Sequence, residues 1–470
     1  MRYINQRRAA VVAMLASALA AGACKDIEVP DYNRASIADL VNNPNATLVN
    51  QASAGLYQNA RRDAAFRVRS AGILGREVYY LDPNEPRYAS ELVTGSIDPS
   101  SFAGNHDYNN PYGTIAQGQI ILKAVDKVSS NEYSDAQKSA IKGFVYTMMG
   151  NDLMIIAELH QYGPTTVNED PLAPPEPMKT QAEMYTQAAA YFDQAVPLLK
   201  AGGTAFPFQS PSGMAGFTTP NSTFLQYNRA LRTRLDILRR DYAAAKIHVD
   251  STFITTPASP TKATFNLGTY YSFGTGAGDT SNGLAAGTQE VADATLRTDA
   301  QLQPGGARDQ RFLDKVDSAG STITRYGVTS NLRYKMYRTS GAQFAGSSGT
   351  ASPIPIIRNE DLILMRAEAK WFTGDHGGAM VDLNYVRTNS GKLAAIAQPA
   401  TDAAFITALL YERRYSIMYE GGYRWMDYRR FNLLPAFNNY PRAGDVSPQF
   451  FPVPFTECLA RGGAGSAPGG

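Results

Sequence analysis

The sequence predicts a mainly α-helical protein: a scaffold of helical hairpins interrupted by one irregular, loop-rich excursion that carries short strands. Three observations lead there. Apolar residues recur at helical spacing in stretches that fill most of the chain between Asn45 and Arg430. Two of those stretches echo each other in the spacing of their key residues. From Phe253 to Pro353 the period is lost and runs such as TTPASPT, GTGAGDTSNG and AGSSGTASP take over.

The bulk numbers set the limits. A chain of 470 residues holds several ordinary domains or one large one, and 44% hydrophobic content is enough for a real core. A net charge of +2, with no basic run past the extreme N-terminus, argues against a nucleic-acid surface. Charged residues make up only 18%, and 27 Tyr stand against 2 Trp. That balance suits a secreted protein with polar-aromatic contact surfaces. Two cysteines exclude a disulfide framework.

The first residues are a targeting segment rather than fold. Arg2, Arg7 and Arg8 precede an apolar run, Ala9 to Ala21, that is shorter than the roughly 20 residues needed to span a bilayer. Cys24 follows the small residues Ala21-Gly22-Ala23. The arrangement resembles a bacterial lipoprotein signal, with residues 1–23 removed and Cys24 acylated as the mature N-terminus. A plain secretory signal with an incidental cysteine is the alternative. Residues 24–44, with Pro30 and Pro44, then read as a tether off the membrane, and no later apolar run is long enough to cross one.

The body of the chain, 45–458, follows in order. Leu48, Val49, Ala52 and Leu56 share one helical face between Asn45 and Arg61. From Ala71 to Asn110 Gly, Pro and Asn alternate with Tyr79, Tyr80, Tyr88, Phe102 and Tyr108, the pattern of a loop-built surface. Helical spacing returns from Tyr112 to Val128 and from Asp135 to Leu159, the latter closed by the Gly-Pro of HQYGPTT. After PLAPPEP, Met184, Ala188, Phe192, Ala195 and Leu199 form one stripe. Asn221 to Val249 is a hairpin broken near Arg240-Asp241, and Leu364 to Arg387 repeats it. Leu231, Leu238, Asp241, Ala245 and Val249 correspond in spacing to Met365, Phe372, Asp375, Ala379 and Leu383. Each hairpin places a small residue where two helices must approach closely, which is tetratricopeptide logic. The excursion at about 253–353 is too long for one structureless loop and is expected to hold short strands and helices. Residues 459–470, rich in Gly and Ala, are expected to be disordered.

The stretch from Asp402 to Arg430 is the densest in charge. Ile406, Leu409, Leu410 and Ile417 line one helical face, with Asp402 as N-cap and Gly421-Gly422 as stop. Arg413 shares that apolar row, and Arg424, Asp427 and Arg430 recur every three residues. A desolvated arginine must find carboxylates or carbonyls. The residues Glu412, Arg413, Arg414, Glu420, Arg424, Asp427 and Arg430 are therefore read as a salt-bridge network fixing this helix to its neighbours, with Trp425 as a core plug. An anionic-ligand or catalytic site is the alternative.

The pattern ERRYSIMYEGGYRWMDYRR, followed by FFPVPFTE at Phe450 to Glu457, resembles the C-terminal signature of the SusD/RagB family. Glu412, Arg413, Arg414, Glu420, Gly421, Arg424, Trp425, Asp427, Arg429 and Arg430 carry the match, and Pro452 and Pro454 echo its Pro-x-Pro. RNEDLILMRAEAKWFTGD with AMVDLNYVRTNSG resembles the penultimate motif, Asn384 and Arg387 matching its Asn-x-x-Arg. The resemblance implies a SusD-like helical fold and a lipid-anchored nutrient-binding protein on the extracellular side of the outer membrane. It also implies a TonB-dependent barrel transporter (SusC-like) as partner, an oligosaccharide or peptide as ligand, and a structural role for the charged network.

No catalytic residue, cofactor or metal is expected. His106, His160, His248 and His376 stand far apart, Cys458 lacks a nearby His, and no G-x-S-x-G or H-E-x-x-H signature occurs. A lipid-anchored glycan hydrolase and a surface adaptor that binds no ligand are the other readings. For the ligand site, Tyr79-Tyr80 and Tyr270-Tyr271 are adjacent aromatic pairs in loop context, and in an extended segment neighbours point to opposite sides. One of each pair is expected to face outward, with Asn84 and Arg87 supplying hydrogen bonds. The family draws ligand contacts from these two regions. Tyrosines that merely cover the helical core are the alternative.

Overall fold

The computed structural model describes residues 37–463 other than 106, 169, 171–172, 277–278, 286, 319, 339–343 and 345–348. The signal segment, Cys24, His106 and the last residues of the tail lie outside the described residues. The chain is built on helical hairpins that stack one on the next. Helices α1 (Ile37–Asn42), α2 (Ala46–Ala60), α3 (Ala64–Leu74) and α4 (Asn109–Lys127) lead into the central pair α5 (Asp135–Leu159) and α6 (Gln181–Ala201). Then come α7 (Leu225–Arg239) with α8 (Tyr242–Val249), and α9 (Asn359–Phe372) with α10 (His376–Asn389). Helices α11 (Asp402–Ser416), α12 (Tyr423–Arg430) and α13 (Phe455–Ala460) follow, and shorter helical turns occur in the loops and the excursion.

Local chemistry sets most boundaries. Ser134 with Gln137 and Thr180 with Glu183 form capping boxes at the starts of α5 and α6, satisfying N–H groups the helices cannot pair themselves. Along α5, Gly143 and Gly150 are two turns apart on one face. A Cβ at either would come within 2.7 Å of Leu199 or 3.0 Å of Phe192, which are spaced alike on α6. The missing side chains let the two backbones close up.

The spacing echo is a structural equivalence. Asp241 caps α8 by accepting from the Ala244 N–H, and Asp375 caps α10 by accepting from Gly378, with nearly the same backbone angles. Ala245 and Ala379 are fully buried, as are Leu231, Met365, Val249 and Leu383. Although about 110 residues separate them in sequence, the hairpin α7–α8 packs directly against α9. The excursion leaves and returns at that seam. Strand β2 (Gly268–Tyr271) pairs antiparallel with β4 (Ile354–Arg358), Ile354 opposite Tyr271, and so closes it. Strand β1 (Val78–Tyr80) pairs with β3 (Glu290–Ala292), Tyr79 opposite Val291, and ties the excursion to the N-terminal part. Among the described residues every sheet has two strands.

Several boundaries differ from expectation. Residues 37–42 of the tether form α1, because Leu40 finds apolar cover and the Lys127 ammonium donates to the Val41 carbonyl at 2.8 Å. Helix α3 lies partly in the stretch read as loop. It is buried on nearly every side, so it shows no apolar stripe. Its Arg67 and Arg69 are neutralised by Asp107 at 3.1 Å and Glu290 at 2.8 Å. At the other end α13 runs past Cys458, which is buried beside Val453. Among the described residues no helix is long and apolar enough to cross a membrane.

Candidate functional site

The C-terminal charges are sealed inside the protein. Thr401, not Asp402, caps α11, and Asp402 instead accepts from the Trp371 indole at 2.8 Å. The helix ends at Ser416, five residues before the glycine pair; Gly422, with φ of 74°, starts α12 instead. Phe405 rather than Ile406 fills the core on that side. Glu420 therefore comes from the irregular connection between α11 and α12. Arg358 grips Glu420 with two hydrogen bonds at 2.7 and 2.8 Å, and the Lys315 ammonium adds a third at 3.0 Å. Glu412 accepts from Arg387 at 2.7 Å with Arg311 beside it. Arg413 bridges Asp361 at 2.8 Å and Asp427 at 2.6 Å, and Arg430 joins Asp427 to Glu368. Arg414 pairs with Asp299 at 2.6 Å, while Arg424 donates to the carbonyls of Gly75 and Arg76. Trp425 has no exposed surface and donates to the Pro448 carbonyl.

A void of about 10 Å³ lies between Glu77, Arg413, Arg424 and Asp427, room for about one water molecule. No substrate fits there. The chemistry this arrangement can do is mechanical: it locks α11 and α12 to α9, α3 and the excursion through bonds whose charges have nowhere else to go.

The surface candidates divide. Tyr79 is buried in β1 and donates to the Asp293 carboxylate at 2.8 Å. Tyr270 and Tyr271 are buried as well, because β2 is covered on both faces. The Tyr270 hydroxyl turns back onto the Asn266 carbonyl, and Tyr271 packs between Tyr57 and Arg67. The expectation that one ring of that pair faces outward is therefore corrected: the pair lies in a covered strand, not a loop. Tyr80 is half-buried, and Asn84 and Arg87 are exposed beside it.

These three border an aromatic arc. Tyr80, Tyr88 and Phe102 follow one another at ring distances of 4.7 and 5.0 Å, and Phe66 of α3 stands 5.7 Å from Phe102. The Arg69 guanidinium covers Tyr80 at 4.5 Å and Arg87 covers Phe102 at 4.6 Å, with Glu85 pairing Arg87 at 2.6 Å. Phe66, Tyr80 and Phe102 each keep part of their surface open. Such a set offers flat apolar faces next to fixed hydrogen-bonding groups. Phe102 belongs to the aromatics of that loop-like stretch. Phe66 does not, and the one hint in sequence is an aromatic beside Arg67 and Arg69 in a helix without an apolar stripe.

The described histidines have structural employment. His160 faces the Pro452 carbonyl at 3.1 Å and His376 stacks on Trp371. Burial, with Arg232 and Arg229 behind it, pushes the His248 imidazole down to about 4, so at neutral pH it meets Asp236 uncharged. Among the described residues no group of three or more His, Cys, Asp or Glu converges as a metal site.

Comparison with known proteins now adds the kinship. Residues 307–454, which hold the excursion's second half and the charged network, match the model of the SusD family. No protein of curated function matches the chain. Among solved structures the chain is similar to a SusD superfamily protein from Bacteroides vulgatus, at 15% identity and a TM-score of 0.68, covering 89% of this chain and 97% of that one. It is likewise similar to surface glycan-binding protein A from Bacteroides thetaiotaomicron in complex with laminarihexaose, at 14% identity and a TM-score of 0.64 over 89% and 98% of the two chains. A laminarin-binding SusD-like protein gives 15% identity and a TM-score of 0.59 over 89% and 98%. At such identities the likeness speaks for the fold, and the family match at 307–454 speaks for descent. The fold of SusD superfamily proteins is thus shared along nearly the whole chain, and residues 307–454, with the signature residues paired inside the protein, match the SusD family.

Proposed function

We propose that this protein is a cell-surface binding lipoprotein that captures an oligomeric nutrient, a glycan, and passes it to a TonB-dependent barrel transporter without chemically altering it. The observation that carries the reading is the fold shared with surface glycan-binding protein A, whose solved complex holds laminarihexaose. The arc of Phe66, Tyr80 and Phe102 supports it as a stacking surface, with Asn84 and Arg87 placed for sugar hydroxyls. A glycan and peptide array on residues 25–470 tests the ligand class. Replacing Tyr80 and Phe102 together by Ala is expected to weaken the glycan found there by about 1–3 kcal/mol per ring while the melting temperature holds. Unchanged affinity would move the site off the arc, and release of reducing ends during the assay would make the protein a hydrolase instead.

Lipidation at Cys24 follows from the charged segment, short apolar run and small residues that converge on it. Cys24→Ala is expected to leave the membrane fraction for the soluble one, whereas the parent, gently solubilised from outer membranes, brings a barrel transporter with it. A variant held as firmly as the parent would place the anchor elsewhere.

A further inference from the structure

A second concavity lies far along the chain from the aromatic arc. It is an open cleft of about 300 Å³ between the end of α7, the end of α12 and the segment Gln449–Phe450, at the small end of the range for ligand sites. Arg239, Arg240, Arg429 and Arg430 line it, and no Asp or Glu does. Arg430 is neutralised by Glu368 and Asp427. The other three have no carboxylate within ion-pairing distance among the described residues. Arg239 and Arg240 are exposed, and Arg429 is half-buried. Arg429 donates to two backbone carbonyls, of Gln449 at 2.7 Å and Glu158 at 2.6 Å, which leaves its charge unbalanced. Burial pushes its pKa down, and Tyr185 and Glu158 oppose that shift only in part.

The placement of Arg240 strengthens the case. It holds φ of 57° at the turn between α7 and α8, a left-handed conformation disfavoured for a residue with a Cβ. The equivalent turn of the sister hairpin uses Gly374, with φ of 88°. An arginine therefore stands where packing alone would favour glycine, its guanidinium 5.5 Å from the Phe431 ring. Neutral polar groups are present too. Asn432 and Gln449 are exposed on the cleft, and their side-chain amides have no hydrogen-bond partner among the described residues.

From this geometry we infer that the cleft binds an acidic saccharide, its carboxylate or sulfate group held by Arg239, Arg240 and Arg429 and its hydroxyls by Asn432 and Gln449. Guanidinium forks match the paired oxygens of either anion. Phe450, half-buried and capped on its ring by Arg429 at 4.5 Å, supplies an apolar wall for the sugar. This specificity rests on the glycan-capture reading and narrows it to anionic glycans.

The test uses the whole mature chain, calorimetric titration, and three probes: a tetragalacturonate, a sulfated tetrasaccharide, and the neutral reduced form of the first. An Arg239→Gln/Arg240→Gln variant is compared with Lys200→Gln/Lys392→Gln, which removes the same charge from exposed sites elsewhere. At least one acidic probe is expected to bind tenfold or more tighter than the neutral one. That preference should fall about tenfold in the arginine variant, with melting temperature unchanged, and persist in the lysine variant. The relative response of the carboxylated and sulfated probes identifies the anion. Equal binding of neutral and acidic probes overturns the inference and leaves glycan capture standing, as does an equal loss in both variants. Arginine-dependent binding of an oligoglutamate peptide, with no saccharide bound, overturns the inference and the glycan reading together.

Discussion

Arg413→Ala is expected to destabilise the protein by about 3–5 kcal/mol, the range for breaking a buried pair by removing one partner. The side chain is 5% exposed, and the carboxylates it bridges, Asp361 and Asp427, are 3% and 5% exposed. Their fates differ once it is gone. Asp427 keeps Arg430 at 2.9 Å. Asp361 keeps no ion pair, and one of its oxygens already lacks a hydrogen-bond partner. Burial already raises its pKa and Arg413 opposes that rise, so removal should leave it protonated or force the surrounding helices apart. Chemical denaturation gives the loss. Glycan affinity in the folded fraction should be unchanged, because Arg413 lines neither the aromatic arc nor the arginine cleft, and Arg430, which borders the cleft, keeps its pair with Glu368. A stable variant that no longer binds ligand would reverse the assignment and make Arg413 a binding residue.

What could be read in advance follows from how each signal arises. A helix with one buried face writes a stripe, so the central pair α5–α6 and the two echoing hairpins were legible to within a few residues. The buried alanines of those hairpins were legible as well, since close helix approach restricts residue type at a fixed offset, whereas Asp241 and Asp375 matched in spacing and only the structure makes them caps. Helix α3 writes no stripe because its arginines are inside, each paired with an acid distant in sequence. The Tyr270-Tyr271 pair was misread for a related reason. An adjacent Tyr-Tyr in a short strand reads the same whether its two sides face water or protein, and only the pairing of β2 with β4 decides. For the arginine cleft, its parts come from the end of α7 and, more than 180 residues later, from the end of α12 and Gln449–Phe450, and the sole local hint is an arginine where the sister turn has glycine.

Glu77→Gln should make the protein more stable at alkaline pH and nearly neutral in effect at acid pH. Glu77 is 1% exposed, one carboxylate oxygen accepts from the Tyr419 N–H at 3.3 Å, and the other has no partner. Burial pushes its pKa from 4.5 up to about 7, with Arg424 only partly offsetting the desolvation. The sign follows from proton counting. Between pH 4.5 and 7 the folded protein holds a proton on Glu77 that the unfolded chain has released, so stability falls as pH rises through that window. Below 4.5 both states are protonated, and above 7 neither is. A displacement of that size corresponds to about 3 kcal/mol, lost by the parent over the window and spared in the variant, whose amide oxygen can still accept from Tyr419. Other buried acids, such as Asp152, titrate alike in both proteins and cancel in the difference. Denaturation of parent and variant at pH 4, 6 and 8 should therefore show a gap that opens with pH and levels off above 7. A gap independent of pH would mean that Glu77 is ionised throughout and that the arginines around it compensate its burial fully.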